Sequence, residues 1–322
     1  MRIVFFGSPD FAVSGLQALL EADDMEVKLV ISQPDRLRSR KKLSPTPVKA
    51  LALAHQLPVL TPEKVNDLEV VEKIKEVKPD LLVVIAYGQI IGKKLREAFP
   101  DHIVNIHGSL LPKYRGAAPI QRALLNGEKT TGVTSMLIRK EMDAGEMLAK
   151  KEVSIEEEDD LDSLSQKMAE AGASLLLETI RDYDRLLQNK EAQDPEKVTF
   201  ADKIQKEEGW MDFEKTARDL VNQVRTLKDW PGAKFTIDGI TYKVHRAHQE
   251  PEEEKDKSIL PGTVVRADKQ GIFLKTGSGL FVIDQIQPTN KKPMDVGAFL
   301  NGYAIPVGAR AQEPVKEAVR HA

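Results

Sequence analysis

The apolar positions in the first half of the chain form short uninterrupted runs rather than an alternating pattern. Four of these runs, rich in β-branched residues, are Arg2–Phe6, Val27–Ile31, Leu81–Ile85 and Ile103–Ile106. Amphipathic stretches with helical spacing separate them. Continuous apolar strands that alternate with helices are typical of a parallel sheet covered on both faces. The pattern therefore predicts an α/β fold with a doubly wound, mostly parallel sheet.

The pattern changes after the fourth run. Gly132–Ile138 and Met147–Ile155 have the character of strands with no helix between them, so we expect an antiparallel pair. The two strands flank a loop that contains Asp143. Apolar residues at helical spacing then predict one long helix over Leu161–Leu187. We assign residues 1–188 to a first domain.

The last third of the chain has the pattern of a different domain. Residues 189–204 are mostly polar and are interpreted as a linker. In residues 205–322, two alternating segments, Lys234–Ile237 and Ile240–Val244, are joined by Asp238-Gly239, which indicates a hairpin with a tight turn. Further short strands with glycine-bearing turns follow. A small open β-barrel is the expected closure.

The bulk composition excludes several classes of protein. Of the 322 residues, 41% are hydrophobic and 30% are charged, with a formal net charge of -3, so we expect a globular protein without a general affinity for nucleic acid. The absence of cysteine excludes disulfides, thiolate nucleophiles and iron–sulfur clusters. The apolar run Ile3–Phe6 is too short for a signal peptide or a membrane span. We expect a cytoplasmic monomer that uses neither a metal nor a membrane.

Candidate catalytic residues lie where the fourth strand ends. Asn105 and His107 are two positions apart, so both side chains project to one side of the strand. In a parallel sheet the binding crevice lies beyond the carboxyl ends of the strands. The amide of Asn105 could donate to the oxygen of a tetrahedral intermediate. A carboxylate such as Asp143 beside His107 would orient the imidazole and favour its protonated form, which suits proton-assisted attack on a carbonyl.

Two other interpretations of these residues were weighed. Asp143 lies in the turn sequence Met142–Gly145, where a plain Asx turn is an alternative to a catalytic role. A Ser-His-Asp hydrolase that uses Ser109 is disfavoured, because the strand-to-helix serine elbow is absent and Ser109 leads into Leu-Leu-Pro.

Three further loops are expected near the same rim of the sheet. Gly7–Phe11 follows the first strand but lacks the three-glycine spacing of a dinucleotide site. Ala86–Ile91 follows the third strand. Its composition predicts an apolar wall of the site whose main chain is made more flexible by a glycine, although a plain strand-to-helix turn is an alternative. Five cations fall within seven residues after the second strand, which indicates contact with a phosphate backbone or simply a solvated loop. These cations are Arg36, Arg38, Arg40, Lys41 and Lys42.

Several motifs of the chain resemble the methionyl-tRNA formyltransferase family, within the wider folate-dependent formyltransferases. The resemblance rests on Phe6–Ala12, Gln33–Pro45, Ala86–Gly88 and Asn105–Gly116 in this order, and it covers nearly the whole chain. Asn-x-His with a Ser-Leu-Leu-Pro turn and a later Asp is the mark of the wider group. The basic loop and the C-terminal segments, such as Trp230–Ala233, resemble the tRNA-specific members.

The resemblance implies a Rossmann-like formyltransferase domain followed by an OB-like barrel that contacts tRNA. It implies 10-formyltetrahydrofolate as the donor and the methionine amine of initiator Met-tRNA as the acceptor, with Asn105, His107 and Asp143 as catalytic residues. The cations of the basic loop would approach the acceptor stem of the tRNA. The tetrahydrofolate would lie against two groups of residues: Ala86, Tyr87, Gly88, Gln89, Ile90 and Ile91 in one loop, and Ser109, Leu110, Leu111 and Pro112 in the other.

Two rival functions remain open at this point. One is a formyltransferase that acts on a small amine, such as an amino-sugar nucleotide or glycinamide ribonucleotide, with a barrel that serves only stability. The other is a non-catalytic RNA-binding protein built from a degenerate enzyme domain. The presence of Asn105, His107 and Asp143 argues against the second.

Overall fold

The computed structural model describes residues 1–37, 43–252 and 258–313. The chain forms two compact units. Unit 1 comprises Met1–Ile120, Lys129–Glu156 and Asp162–Asp202, and unit 2 comprises Gln121–Glu128, Glu157–Leu161 and Lys203–Ala322. Within the described residues, no helix has both the length and the apolar character that crossing a bilayer requires.

The helices and strands of the first 202 residues alternate along most of this stretch. In chain order they are β1 (Arg2–Gly7), α1 (Asp10–Glu21), β2 (Glu26–Ile31), β3 (Arg36–Leu37), β4 (Leu43–Ser44), α2 (Pro47–Ala54), β5 (Val59–Leu60), α3 (Leu68–Glu76), β6 (Leu81–Ile85), α4 (Lys93–Ala98), β7 (Ile103–His107), α5 (Pro119–Leu125), β8 (Thr130–Leu137), β9 (Met147–Ser154), α6 (Leu161–Arg181) and α7 (Tyr183–Gln188).

The main sheet of unit 1 has seven strands in the order β5-β2-β1-β6-β7-β8-β9. The pairs β2–β5, β1–β2, β1–β6 and β6–β7 are parallel. The pairs β7–β8 and β8–β9 are antiparallel. The predicted doubly wound, mostly parallel sheet is therefore confirmed. Its strand order changes direction at β1, between β2 and β6, which is the position where open α/β sheets form a binding crevice.

The long helix α6 packs closely on the sheet because of a glycine. A Cβ built on Gly172 would lie 3.3 Å from Cγ2 of Ile106, which belongs to β7. The sequence predicts one helix up to Leu187, but α6 ends at Arg181 and α7 begins at Tyr183. The chain turns at the intervening residue, so that Tyr183 is buried and its hydroxyl donates to the main-chain oxygen of Asp101.

Unit 2 contains an antiparallel β domain. Its sheet has the order β10-β11-β14-β13-β12, with β15 paired to β14. The predicted hairpin is present, with positive φ at Asp238 and Gly239 as a tight two-residue turn requires. The elements are α8 (Ala217–Leu227), β10 (Ala233–Ile237), β11 (Ile240–Glu250), β12 (Val264–Asp268), β13 (Gly271–Lys275), β14 (Leu280–Pro288), β15 (Met294–Asp295) and α9 (Val296–Phe299).

A C-terminal segment connects the two outer strands of this sheet. Gln312 exchanges two main-chain hydrogen bonds with Thr236 of β10. Ala309 accepts a main-chain hydrogen bond from Val264, at the start of β12. Because one segment pairs with both edges, the sheet closes around its core, which contains Phe213, Phe235, Tyr242, Phe281 and Phe299.

Candidate active site

Asn105 and His107 lie near the carboxyl end of β7, in the middle of the main sheet. Asn105 is in register with Val84 of β6, and His107 is in register with Thr134 of β8. Asn105 is half-buried and His107 is 7% exposed. Since residues two apart on a strand share a face, the sheet presents an amide and an imidazole side by side.

The loop after β7 determines which ring nitrogen of His107 carries hydrogen. Nε2 of His107 lies 2.9 Å from the main-chain oxygen of Tyr114. A carbonyl oxygen can only accept, so Nε2 is a donor. The other nitrogen, Nδ1, lies 3.7 Å from Oδ1 of Asp143. Nδ1 therefore faces a carboxylate, while Nε2 is held by the loop after β7.

Asp143 is held by the loop between β8 and β9. Its φ of 51° is in the left-handed region, and its Oδ2 accepts a hydrogen bond from the main-chain N–H of Gly116 at 2.9 Å. Gly145 comes so close to β8 that a Cβ there would lie 1.8 Å from the oxygen of Leu137. Only glycine fits this position, which explains the Asp-Ala-Gly sequence of the turn.

Ion pairs fix both ends of this loop. Arg139, just after β8, donates to Glu146 at 2.7 Å and pairs with Asp101 at 2.6 Å. The hydrogen bond from the Arg139 guanidinium lowers the pKa of Glu146 and, in the same way, the pKa of Asp101. Both carboxylates therefore stay charged and keep the loop in place near neutral pH.

The side chain of Ser109 has a structural contact. Its hydroxyl donates to the main-chain oxygen of Lys113 at 2.6 Å, and its own carbonyl accepts from Thr134 Oγ1 at 2.7 Å. Ser109 is fully buried. This hydrogen bond closes the turn after His107, so it gives no support to a serine nucleophile. Of the neighbouring residues, Leu110 and Pro112 are half-buried, and Leu111 is buried against two methionines.

The loop after β6 contains residues of two kinds. Ala86 and Gly88 are exposed and have positive φ, and Ile90 is 77% exposed. Tyr87 and Ile91, in contrast, are buried in the core. The exposed residues can present surface to a ligand, whereas the buried ones can only support the loop.

Gln89 and Tyr87 act within the protein. The amide of Gln89 accepts from the N–H of Val65 at 2.9 Å and donates to the oxygen of Pro62 at 3.0 Å. The ring of Tyr87 packs edge-on against Phe6, and burial raises the pKa of its hydroxyl. Both side chains therefore contact the protein and hold the loop in position. They do not belong to the surface that the loop exposes.

Only part of the predicted basic loop can be described. Arg36 lies in β3, where it pairs with Ser44 of β4. Asp35, the residue before it, forms an ion pair with Lys49 at 2.8 Å. Arg38, Arg40, Lys41 and Lys42 lie outside the described residues.

The sequence analysis assigned no site role to residues 189–202, which we call the strap. In the strap, the hydroxyl of Thr199 accepts from the N–H of Tyr114 at 2.8 Å, and the carbonyl of Thr199 accepts from the N–H of Arg115 at 2.9 Å. Ala201 donates to the carbonyl of Arg115 at 2.7 Å. The strap therefore holds the carbonyl that orients His107. Most of these bonds are made by main-chain groups, so the pattern of side chains in the sequence could not predict them.

Two family models together match most of the chain. Residues 1–180 match the model described as formyl transferase, and residues 203–304 match the model described as formyl transferase, C-terminal domain. The chain belongs to the formyl transferase family. Our predicted domain limits, 1–188 and 205–322 with a linker at 189–204, remain predictions.

Relatives of full length are similar to this chain throughout. The methionyl-tRNA formyltransferase of Sulfurihydrogenibium sp. is 44% identical over 96% of this chain and 99% of its own length. That of Bacillus subtilis is 42% identical over 95% of this chain and 96% of its own length. A solved structure of WlaRD, a sugar 3N-formyl transferase studied with dTDP and 5-N-formyl-THF, covers 91% of this chain and 99% of that chain, with a TM-score of 0.64 and 21% identity. At this identity, the last similarity concerns the fold alone.

Proposed function

We propose that this protein transfers the formyl group of 10-formyltetrahydrofolate to the methionine amino group of initiator Met-tRNA, a step that supports translation initiation. The observation that carries the proposal is the pairing of His107 Nδ1 with Asp143 Oδ1 at 3.7 Å, next to Asn105, in a member of the formyl transferase family. The acceptor follows from relatives that match over the whole length and are named methionyl-tRNA formyltransferases.

In the proposed reaction the free amine attacks the formyl carbon. The formyl oxygen then becomes an oxyanion, which the Asn105 amide and the positive charge of the protonated His107 imidazole stabilise. Asp143 orients the imidazole and compensates its charge. The new C–N bond remains, the bond from carbon to N10 breaks, the attacking nitrogen loses a proton, and N10 of the departing tetrahydrofolate gains one.

Two loops of unit 1 offer surface for the ring system of the proposed co-substrate. Ile90, exposed in the loop after β6, and Met142, 71% exposed beside Asp143, offer apolar surface in loops next to the catalytic residues. Ala86 and Gly88 are exposed and have positive φ, so the polar main-chain groups of this loop are available to recognise a pterin ring. Ser109, Leu110, Leu111 and Pro112 would form the opposite side, with Leu110 and Pro112 as its partly exposed members.

Cations in both units support a tRNA acceptor. Arg36 to Lys42 would contact phosphates near the acceptor stem. In unit 2, Lys234 lies 4.5 Å from the centre of the Trp210 ring, and burial, then Lys206 and Lys243, lower its pKa. A nearby phosphate would relieve this repulsion between like charges. We expect the enzyme to act as a monomer in the cytoplasm, where its acceptor is used.

The proposal is tested with purified protein and a labelled formyl donor. Initiator Met-tRNA, elongator Met-tRNA, free methionine and an amino-sugar nucleotide are offered side by side. Efficient label transfer to initiator Met-tRNA alone is the expected result. Transfer to the amino-sugar nucleotide with none to Met-tRNA would favour the small-amine alternative. Saturable tRNA binding without transfer to any acceptor would favour a non-catalytic RNA-binding protein.

A further inference from the structure

Gln193 of the strap is a buried amide that contacts the loop of Asp143. It is 9% exposed. Its Nε2 donates to the main-chain oxygens of both Asp143 and Gly145, each at 2.8 Å. Its Oε1 accepts from Nε of Arg115 at 2.9 Å. Three of the four hydrogen-bonding positions of this amide, both N–H donors and one acceptor lone pair, are therefore used between two loops of unit 1.

The hydrogen bonds from Gln193 are made to a turn whose main chain has an unfavourable conformation. Asp143 has a left-handed φ of 51°, a conformation that is unfavourable for a residue with a Cβ. Two carbonyls fixed from one NH₂ group determine the direction of the peptides on either side of the turn. The direction of the Asp143 side chain follows from its main chain, so the amide of Gln193 also sets where the carboxylate lies relative to His107.

Arg115 extends this arrangement to the other loop. Its side chain orients the amide of Gln193, and its neighbours in sequence, Tyr114 and Gly116, provide the carbonyl that holds His107 and the N–H that holds Asp143. The loop after β7 and the loop after β8 are thus linked twice, directly by the bond from Gly116 to Asp143 and indirectly through Gln193.

We propose that Gln193 is a positioning residue for formyl transfer, which acts by holding Asp143 in the geometry that supports His107. This inference rests on the proposed function. Gln193 contacts neither substrate nor the reacting atoms. Its removal therefore lowers kcat, by about 10- to 100-fold, as small displacements of a catalytic group do, and leaves KM for the donor and for Met-tRNA within about twofold.

The test is a double-mutant cycle of Gln193→Met and Asp143→Asn. Methionine has nearly the shape of glutamine but lacks both the donor and the acceptor. Because Gln193 acts through the Asp143 carboxylate, Gln193→Met should lower kcat in the wild-type background and have little further effect in Asp143→Asn. Glu191→Ala is the matched control, since Glu191 lies in the same strap and pairs with Met147 through its main chain alone. It should keep wild-type kcat.

A second measurement does not depend on activity. Amide hydrogen exchange of the peptide covering residues 139–147 should be faster in Gln193→Met than in wild type or in Glu191→Ala, because the loop opens more often. If wild type does not transfer formyl to Met-tRNA but this difference in exchange is present, the proposed function is wrong. The inference that Gln193 holds Asp143 in position is then still supported.

Three results would contradict the role of Gln193 independently of the proposed function. The first is that Gln193→Met keeps the kcat of wild type although Asp143→Asn lowers kcat. The second is an equal fold-loss of kcat from Gln193→Met in both backgrounds, which would indicate a general role in stability. The third is unchanged hydrogen exchange in residues 139–147.

Discussion

The main-chain N–H of Gly116 donates to Oδ2 of Asp143 at 2.9 Å, across 27 positions of the sequence. The carboxylate therefore has one oxygen fixed by the loop after β7 and the other turned toward Nδ1 of His107. Because one of its oxygens is bonded to Gly116, this carboxylate cannot rotate freely. It can therefore hold the imidazole of His107 in a fixed orientation, as general acid–base catalysis requires.

We predict that Asp143→Asn folds normally but is slow. The asparagine oxygen can still accept from Gly116, whereas the negative charge beside His107 is lost. We expect kcat to fall by about 100- to 10,000-fold with an unchanged unfolding temperature. Steady-state kinetics and calorimetry measure both quantities. Glu141→Gln, an exposed change two positions away, is the control and should keep wild-type kcat.

Gly116→Ala should destabilise the protein. Gly116 has a φ of 125°, and a Cβ there would lie 2.8 Å from the carbonyl oxygen of Ala201. Backbone strain of this kind lowers stability by about 1–3 kcal/mol. Thermal unfolding should show a lower midpoint than wild type. Gly302→Ala is the matched control, because nothing lies within 4 Å of a Cβ at Gly302, and equal midpoints for the two variants would contradict the strain argument.

The basic loop is expected to act on tRNA alone. Arg40→Ala should weaken the use of Met-tRNA and reduce the slope of log affinity against log salt by about 1, since one phosphate contact is lost. The affinity for the folate donor should not change. Lys93→Ala removes a cation from an exposed helix and should alter neither quantity. A matching loss of donor affinity in Arg40→Ala would indicate a folding defect instead of a lost contact.

Acid should weaken the link between Arg2, the first residue of β1, and Asp80, the residue before β6. Hydrogen bonds from Arg2 lower the pKa of Asp80 to about 2, below its usual value near 4. The stabilisation is thus fully present above about pH 4 and is lost as the pH falls toward 2. Because Asp80 is partly exposed, we expect about 1 kcal/mol or less. Stability curves of wild type and Asp80→Asn should differ above pH 4 and converge at pH 2; a constant difference would contradict this linkage.

The main sheet and the positions of Asn105 and His107 could be predicted from sequence because they depend on local patterns. Buried strands give continuous apolar runs, and two-residue spacing places side chains on one face. The approach of Asp143 to His107 depends on the bond to Gly116, which is a tertiary contact of the main chain. No sequence pattern reports such a contact.

Three other features escaped prediction for related reasons. The strap contacts the loop after β7 largely through main-chain groups, as at Thr199, so its polar composition resembles that of a linker. The break between α6 and α7 accompanies the burial of Tyr183 and its hydrogen bond to Asp101, a tertiary contact that helical periodicity does not report. In the loop after β6, sequence analysis found the segment but could not separate the exposed Ile90 from the buried Tyr87.

If Asn105 stabilises the oxyanion of formyl transfer, the single-turnover rate constant of Asn105→Ala reports this role directly. The measurement uses saturating 10-formyltetrahydrofolate and initiator Met-tRNA, with donor affinity and unfolding temperature as checks on folding. We predict a rate constant about 100- to 1000-fold below wild type with both checks unchanged. A rate constant within about threefold of wild type would contradict this account of the site.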